Sequence, residues 1–435
     1  MKILFCVEFY FPSIGGAQEV VRQIAERLAA KGHDVAVATT KIATRSSLRH
    51  HGVEIVEFDV SGNLVRGLYG DVAGYQEFLS KQDFDLVFFY AAQQWTFDAA
   101  WSVLDRMSCK KVLVPCGYSA LYDPAYSDYF SKLGGVLAKM NAAVYHARDY
   151  RDWKFANDLG LTNSVVIPNG ADIEEFKSPI NPDFRAKFGA NDSTFVILTV
   201  GTVTGKKGHL ELVQAYAEAD FGGRETLLIL NGNRPELGGR KVDILARFSA
   251  LISGYGFIYA FRHAIKMGLI ALGIPVGNNN SIERLVGDIN RENAKGKKAV
   301  LVDLPRPDLL QAYLQADLFV FASNIEYSPL VLFESIAAGL PFLTVPVGNT
   351  HEIIEWTGGG EMCPAPLDSH GYTRVNPADL ARHIESLAQN DEHRLELGRR
   401  GREAARSRFN WPYLTDEYES LFIRLAAGKD TSCVK

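Results

Sequence analysis

The sequence predicts an α/β protein made of two successive doubly wound parallel sheets. Two observations carry that expectation. The chain has 435 residues, more than one ordinary core needs, and two domains of roughly 150–200 residues fit it. Short apolar runs also alternate along it with helix-length segments whose apolar residues recur every three to four positions.

Residues 2–9 read as the first strand, Phe11–Ala17 as a loop and Gln18–Ala30 as a helix with Val20, Val21, Ile24, Ala25 and Leu28 on one face. Gly32 ends that helix and Val35–Thr39 is the next strand. A strand, loop, helix and strand at this spacing form a βαβ unit, which implies a parallel sheet with helices on its faces. Strands follow at Leu86–Tyr90, Lys111–Pro115, Ala142–Tyr145 and Val165–Pro168, before the turn signal Asn169-Gly170. The polar stretch Ala171–Ser193, with Pro179 and Pro182, reads as a linker. A second series then runs through strand Phe195–Val200, a glycine loop, helix Leu210–Ala219 and strand Thr226–Leu230. It continues with Ala299–Val302, helix Pro307–Gln315, strand Leu318–Ala322, helix Pro329–Gly339 and strand Phe342–Val345. The expected domains are 1–175 and 195–410, with a C-terminal helix in 411–435 packing back on the first. Open parallel sheets take ligands at the carboxyl ends of their strands, so a cleft between the two domains is the expected binding place.

The segment 236–297 is longer than a helix and loop require. Within it, 255–272 is apolar apart from Arg262, His263 and Lys266. That pattern admits peripheral contact with a membrane, while a buried helix whose basic residues reach to its rim is the competing reading. No run of about 18 apolar residues predicts a membrane-spanning helix. The net charge of −5 gives no general attraction for nucleic acid, so an anionic ligand needs a local site. Five scattered cysteines without C-x-x-C spacing suggest neither a disulfide framework nor a zinc site, and a reducing cytoplasm is expected. Glu8 and Pro12 interrupt the N-terminal apolar run too early for a signal peptide.

The most informative segment is Asn324–Glu334, which leaves a strand and opens a helix. Ser328 has N-cap chemistry and Pro329 suits the first helical position, leaving the amides of Leu330 and Val331 to bind a diphosphate. Glu326 before the helix and Glu334 within it can each accept sugar hydroxyls; the competing assignments are a solvated Glu326 and a Glu334 that caps local amides. The loop Gly201–Gly208 follows the first strand of the second domain and lets backbone approach phosphate, with Lys207 as a point charge. It matches neither a Walker loop nor a dinucleotide fingerprint. Lys206 reads as a solvated loop lysine, with a charge on the leaving diphosphate as the competing role. In the first domain Gly15-Gly16 can press amides against a ligand, or simply turn the chain into its helix. His33 reads as structural, His209 as capping or solvated, and His351 divides between a loop role and a ligand role.

Taken together these residues resemble the family 4 retaining glycosyltransferases, which have the GT-B fold of two Rossmann-like domains. The resemblance covers nearly the whole chain: Pro12 with Gly15-Gly16-Ala17, Lys31-Gly32-His33, Val166–Asp172 with Phe176, Lys207-Gly208, Glu326 and Glu334, Ala338–Pro341, and Gly348 with Glu352. It implies that the second domain binds a nucleotide-diphosphate sugar and the first a glycan or lipid-linked acceptor. It implies further that Lys207 contacts the donor phosphates, Glu334 the ribose, Glu326 the transferred sugar and Gly16 the diphosphate region. No metal and no other cofactor are expected. The chain departs from the family at Thr202, where arginine is usual, at Cys116, where many members have histidine, and at Ser328-Pro329, where Phe-Gly is common. Cys116 reads as packing beside an acceptor-side surface that includes Gly15.

The mechanism so implied is attack by an acceptor hydroxyl on the anomeric carbon with retention, the leaving diphosphate being stabilised by Lys207 and the helix N-terminus. A GT-B epimerase or phosphorylase, and a nucleotide-sugar-binding protein weak in catalysis, are the alternatives. The expected location is cytoplasmic, with peripheral contact at the inner face of a membrane through about 255–272.

Overall fold

Four consecutive residues of strand β1 (Lys2–Cys6), Ile3 to Cys6, are withdrawn from solvent, as happens when helices cover both faces of a sheet. In the computed structural model, which describes residues 1–81, 83–232, 279–292, 296–369 and 371–429, β1 is the pivot of an eight-stranded sheet. The chain divides into two units, 1–170 with 408–435, and 171–407.

In the first unit β1 pairs in parallel with β2 (Asp34–Thr40), Lys2 opposite Asp34. Beyond β2 an antiparallel hairpin closes the edge, with β3 (Arg49–His50) against β4 (Val53–Phe58). A separate two-stranded ribbon follows, β5 (Val60–Asn63) with β6 (Gly67–Gly70). Neither hairpin is signalled by the apolar pattern, since β3 has only two residues, both polar, and β5–β6 is rich in glycine. On the other side of β1 lie β7 (Leu86–Tyr90), β8 (Lys110–Val114), β9 (Ala142–Tyr145) and β10 (Ser164–Val166), all parallel. The sheet order is therefore β10-β9-β8-β7-β1-β2-β4-β3, and the winding reverses between β1 and β7. Helix α1 (Gly16–Ala30) buries Val20, Val21, Ile24, Ala25 and Leu28, and it starts two residues before the sequence suggests. Helices α2 (Val72–Lys81), α3 (Trp95–Asp98), α4 (Ser127–Leu137) and α5 (Arg151–Asp158) complete the crossovers.

In the second unit the order is β13-β12-β11-β14-β15-β16, again parallel throughout. The strands are β11 (Phe195–Val200), β12 (Thr226–Asn231), β13 (Lys297–Val302), β14 (Leu318–Phe321), β15 (Phe342–Thr344) and β16 (Gly360–Met362). The helices are α6 (His209–Glu218), α7 (Asn279–Glu292), α8 (Arg306–Gln315), α9 (Leu330–Ala338), α10 (Thr350–Thr357), α11 (Pro377–Gln389) and α12 (Asp391–Ser407). The winding reverses between β11 and β14, so the crevice such a sheet offers a ligand opens where those two strands end.

The stretch 171–193, which reads as a linker in sequence, belongs to the second unit. Gln311 donates to the Pro179 carbonyl at 2.9 Å, and Arg185 pairs with Asp317 at 3.3 Å. The chain returns to the first unit with helix α13 (Trp411–Ala426), capped by the Asn410 side chain accepting from the Tyr413 amide. Tyr418 and Phe422 of α13 each pack an edge against Phe88, with ring centres 5.8 Å apart. Lys31 pairs with Asp416 and Glu419, and His33 Nε2 lies 2.8 Å from Glu419, giving His33 a structural partner. Among the described residues no helix is long and apolar enough to cross a membrane. The segment 255–272 and most of the insertion 236–297 lie outside the described residues.

Candidate active site

Two loops leave the reversal point of the second sheet: Gly201–Gly208 after β11, and Ala322–Pro329 after β14. Close backbone contact joins them. The Asn324 amide donates to the Lys206 carbonyl at 3.0 Å, and the Ser323 hydroxyl reaches the same oxygen at 3.4 Å. Gly208 has φ +68°, and a Cβ there would fall 1.8 Å from the Ala322 carbonyl oxygen, so only glycine lets the loops meet. On the far side, the Asn324 side chain donates to the Thr373 carbonyl at 3.0 Å, and the Thr373 amide donates back to the Asn324 carbonyl at 2.9 Å. Gly348 and Asn349 close over Tyr327 in the same manner, the Asn349 amide donating to the Tyr327 carbonyl at 2.8 Å.

From these joined loops Lys207 and Glu326 reach each other and form an ion pair. Both side chains keep about a quarter of their surface exposed, 26% and 25%, so a ligand can reach them. Helix α9 begins four residues after Glu326. The amides of its first residues, Leu330 and Val331, have no helical carbonyl to bind, and the helix dipole adds positive potential there. The cap differs from the sequence expectation in one respect. Pro329 occupies the N-cap position rather than the first helical turn, and no side chain caps the helix. Ser328 therefore lies one residue too early to serve as the cap, because φ −71° and ψ 114° at Pro329 keep the chain extended there. The amides of Leu330 and Val331 are unaffected, since proline removes only its own.

Glu334 lies one turn further along α9, on the same face as Leu330. Its carboxylate is not a cap. Arg306, at the start of α8, pairs with it at 2.6 Å, and the Tyr313 hydroxyl donates to it at 3.0 Å. Arg306 also pairs with Glu175 and lies over the Phe176 ring, 5.9 Å from its centre. Burial pushes the Glu334 carboxyl up, and the Arg306 charge and the two hydrogen bonds pull it back. Each carboxylate oxygen carries one such contact and retains a second lone pair for a ligand hydroxyl. Arg306, Tyr313 and Glu175 are supporting residues that spacing alone does not reveal, because their partner belongs to a different helix. A visible signal is the Arg306-Pro307 pair at a helix start, which points to a cation near a helix N-terminus without naming what it faces.

The remaining positions divide between the units. Thr202 sits partly buried in the β11 loop and brings no charge to it. The Lys206 ammonium lies over the Tyr372 ring, 5.5 Å from its centre, so it is not simply a solvated lysine. His209 opens α6 with both ring nitrogens buried and without a hydrogen-bond partner among the described residues, and burial pushes its pKa down to about 4. It is neither solvated nor a side-chain cap, since the cap of α6 is Gly208. His351 is exposed on the first turn of α10. Gly15, Gly16 and Cys116 belong to the first unit. Gly15 is the N-cap of α1 and Gly16 its first residue, at the end of the loop that leaves β1 where the first sheet reverses. Cys116 follows β8 with φ +64° and is hydrogen-bonded to the buried Tyr90 hydroxyl, which also lies 3.2 Å from His146 Nε2. A cavity of about 790 Å³ between Gly339 and α12 lies at the opposite end of α9 from its free amides and includes none of these residues.

Two family models match the chain, a glycosyl transferase 4-like domain over residues 15–151 and glycosyl transferases group 1 over 274–404. Spore coat protein SA of Bacillus subtilis (strain 168) is 22% identical over 428 residues, covering 94% of this chain and 96% of that protein. Among solved structures, sucrose-phosphate synthase from Thermosynechococcus elongatus superposes with a TM-score of 0.70 at 17% identity, over 98% of this chain and 100% of that one. Anabaena HepE in complex with UDP-glucose gives a TM-score of 0.66 at 16% identity, over 97% and 99%.

Proposed function

This chain belongs to the group 1 glycosyltransferases of GT-B type, and we propose that it moves a sugar from a nucleotide-diphosphate donor to a hydroxyl of a glycan or lipid-linked acceptor, with retention. The observation that carries the proposal is the meeting of Lys207 and Glu326 at the reversal point of the second sheet, beside the free amides of Leu330 and Val331. A diphosphate placed there meets one ammonium and two N–H groups, which is the stabilisation a departing phosphate needs. Glu334, held by Arg306 and Tyr313, is oriented to accept from the ribose. Glu326 lies next to the phosphate position and accepts from hydroxyls of the transferred sugar. The anomeric C–O bond breaks toward the diphosphate, the acceptor oxygen bonds to the same face, and the leaving phosphate oxygen takes the acceptor proton. Lys207 and the helix amides take the place that a metal ion holds in other diphosphate chemistry. The acceptor is assigned to the first unit, beside Gly15, Gly16 and Cys116, and the reaction to the cytoplasm.

Thr202 supports a second reading, a protein that binds the donor with little turnover. One charge is missing from the β11 loop, and the Lys206 ammonium that could replace it lies over the Tyr372 ring. One experiment separates the two. Purified protein is screened by thermal shift against UDP-, GDP- and ADP-sugars, and each stabilising donor is assayed for transfer to glycan and lipid-linked acceptors. UDP-glucose is the first donor to try, given the likeness to a fold solved with it. Stabilisation with transfer supports the enzyme. Stabilisation without transfer or hydrolysis favours the binding protein, and no stabilisation by any donor refutes both.

A further inference from the structure

Away from the donor site, the first unit brings together a carboxylate and two imidazoles. Glu26 projects from the third turn of α1, and His50 and His51 stand at the tip of the β3–β4 hairpin. His50 Nε2 lies 3.5 Å from Glu26 Oε1, and His51 Nδ1 lies 3.4 Å from Oε2. One ligand atom from each of the three falls within 4.8 Å of the others. These gaps are too long for good hydrogen bonds. They suit a shared ion, because two donors each about 2.0–2.1 Å from a tetrahedral Zn²⁺ lie roughly 3.4 Å apart.

Three further observations favour a cation. Glu26 is only 9% exposed, and its Oε1 is buried with no hydrogen-bond partner among the described residues, a costly state for a carboxylate oxygen. Arg22 reaches the other oxygen at 3.2 Å but is shared with Glu19 at 2.7 Å, so it does not serve Glu26 alone. The imidazoles are also held in place before any ion arrives. Phe11 stacks flat on His50, with ring centres 3.6 Å apart and planes 8° from parallel. His51 and Gly52 have φ +46° and +85°, the two-residue turn that a tight hairpin requires, and a Cβ on Gly52 would touch Ala29 of α1 at 3.3 Å. The tip is thereby seated on the helix that carries Glu26.

We propose that Glu26, His50 and His51 bind a divalent transition-metal ion, best Zn²⁺, that clips helix α1 to the β3–β4 hairpin. Two imidazoles and a carboxylate are a borderline ligand set that prefers zinc to magnesium or calcium. His51, with 66% of its side chain exposed, leaves an open side from which water completes the coordination. None of the three residues takes part in the transfer chemistry proposed above, so the ion fastens the fold of the first unit.

The test uses the full chain without an affinity tag, stripped with EDTA. It is titrated with Zn²⁺ by calorimetry and with Co²⁺ by visible absorption. One equivalent of Zn²⁺ should bind, Co²⁺ should give the intense bands of a tetrahedral site, and Zn²⁺ should raise the melting temperature. His51→Ala, which removes an exposed side chain and adds no new Cβ to the turn, should weaken binding by at least about tenfold. His393→Ala, at an exposed histidine paired with Glu361 in the second unit, should leave it unchanged. Absence of a one-equivalent site in the unaltered protein, or equal affinity in His51→Ala, would overturn the proposal and leave the cluster as a histidine–carboxylate contact.

Discussion

Lys207 and Glu326 satisfy each other while no ligand is near, so a diphosphate entering at α9 has to draw the ammonium away from Glu326. A pair this exposed contributes about 1 kcal/mol at most, a small barrier beside the gain of a charge-assisted bond to phosphate. The exchange gives the two residues opposite signatures. Glu326→Gln frees the ammonium, and free nucleoside diphosphate should bind about fivefold more tightly, from loss of that ~1 kcal/mol competitor. The same change removes the acceptor beside the sugar, so transfer should fall. Calorimetry with the diphosphate and a donor-turnover assay check the two halves, and a parallel loss in both would mean that Glu326 positions Lys207 for the phosphate instead of competing with it. Lys207, Glu326 and Glu334 are legible in the sequence because a loop glycine, a strand end and a helix start fix their spacing. Arg306 and Tyr313 are not legible, since what gives them meaning is the packing of α8 on α9.

Gly208 and Asp98 each fasten neighbouring loops and helices. Gly208→Ala forces a positive φ on alanine and drives its Cβ against the Ala322 carbonyl, so the β11 and β14 loops must separate. The strain is of order 1–3 kcal/mol before any clash is counted, and a lowered melting temperature with loss of donor binding should follow. In the first unit Asp98 ties α3 to the ribbon and to α4, accepting from the Leu64 amide at 3.0 Å and the Tyr129 hydroxyl at 2.8 Å. Burial pushes its carboxyl up from 3.8 to about 6, against the pull of those hydrogen bonds. The folded form therefore holds the proton more tightly than the unfolded one. This contribution is fully present below pH 3.8 and is lost as pH rises through about 6, a change of about 3 kcal/mol. Asp98→Asn imitates the protonated acid and should flatten the stability curve between pH 4 and 6 in denaturant titrations. A slope equal to that of the unaltered protein would mean that Asp98 is not the group responsible.

The long elements are legible because apolar periodicity follows burial: β7, β9 and β11 end where the apolar runs end. Strand β3 is not, because its two residues, Arg49 and His50, are polar and sit at the sheet edge, and the same polarity hides the histidine cluster. The start of α9 is misread by one residue, since proline suits both the cap and the first turn and only the observed ψ of 114° decides between them.

For the whole molecule, two sheets that each reverse once, at β1/β7 and at β11/β14, account for the order of the chain. The repeated strand–helix pattern makes that architecture readable from sequence, whereas the division at 170 and 408 depends on contacts such as Arg185 to Asp317, which polar composition conceals. Each reversal point carries a glycine-bearing loop, but the described charge pair and free helix amides meet at the second. It is at this second point that we place the diphosphate of a nucleotide sugar. Calorimetric titration of the unaltered protein and of Lys207→Ala with the donor selected by thermal shift tests that placement most directly. Binding should be saturable and one-to-one, and should weaken at least about tenfold in Lys207→Ala, the loss of one charge-assisted phosphate contact. Equal affinity in the two proteins would contradict it.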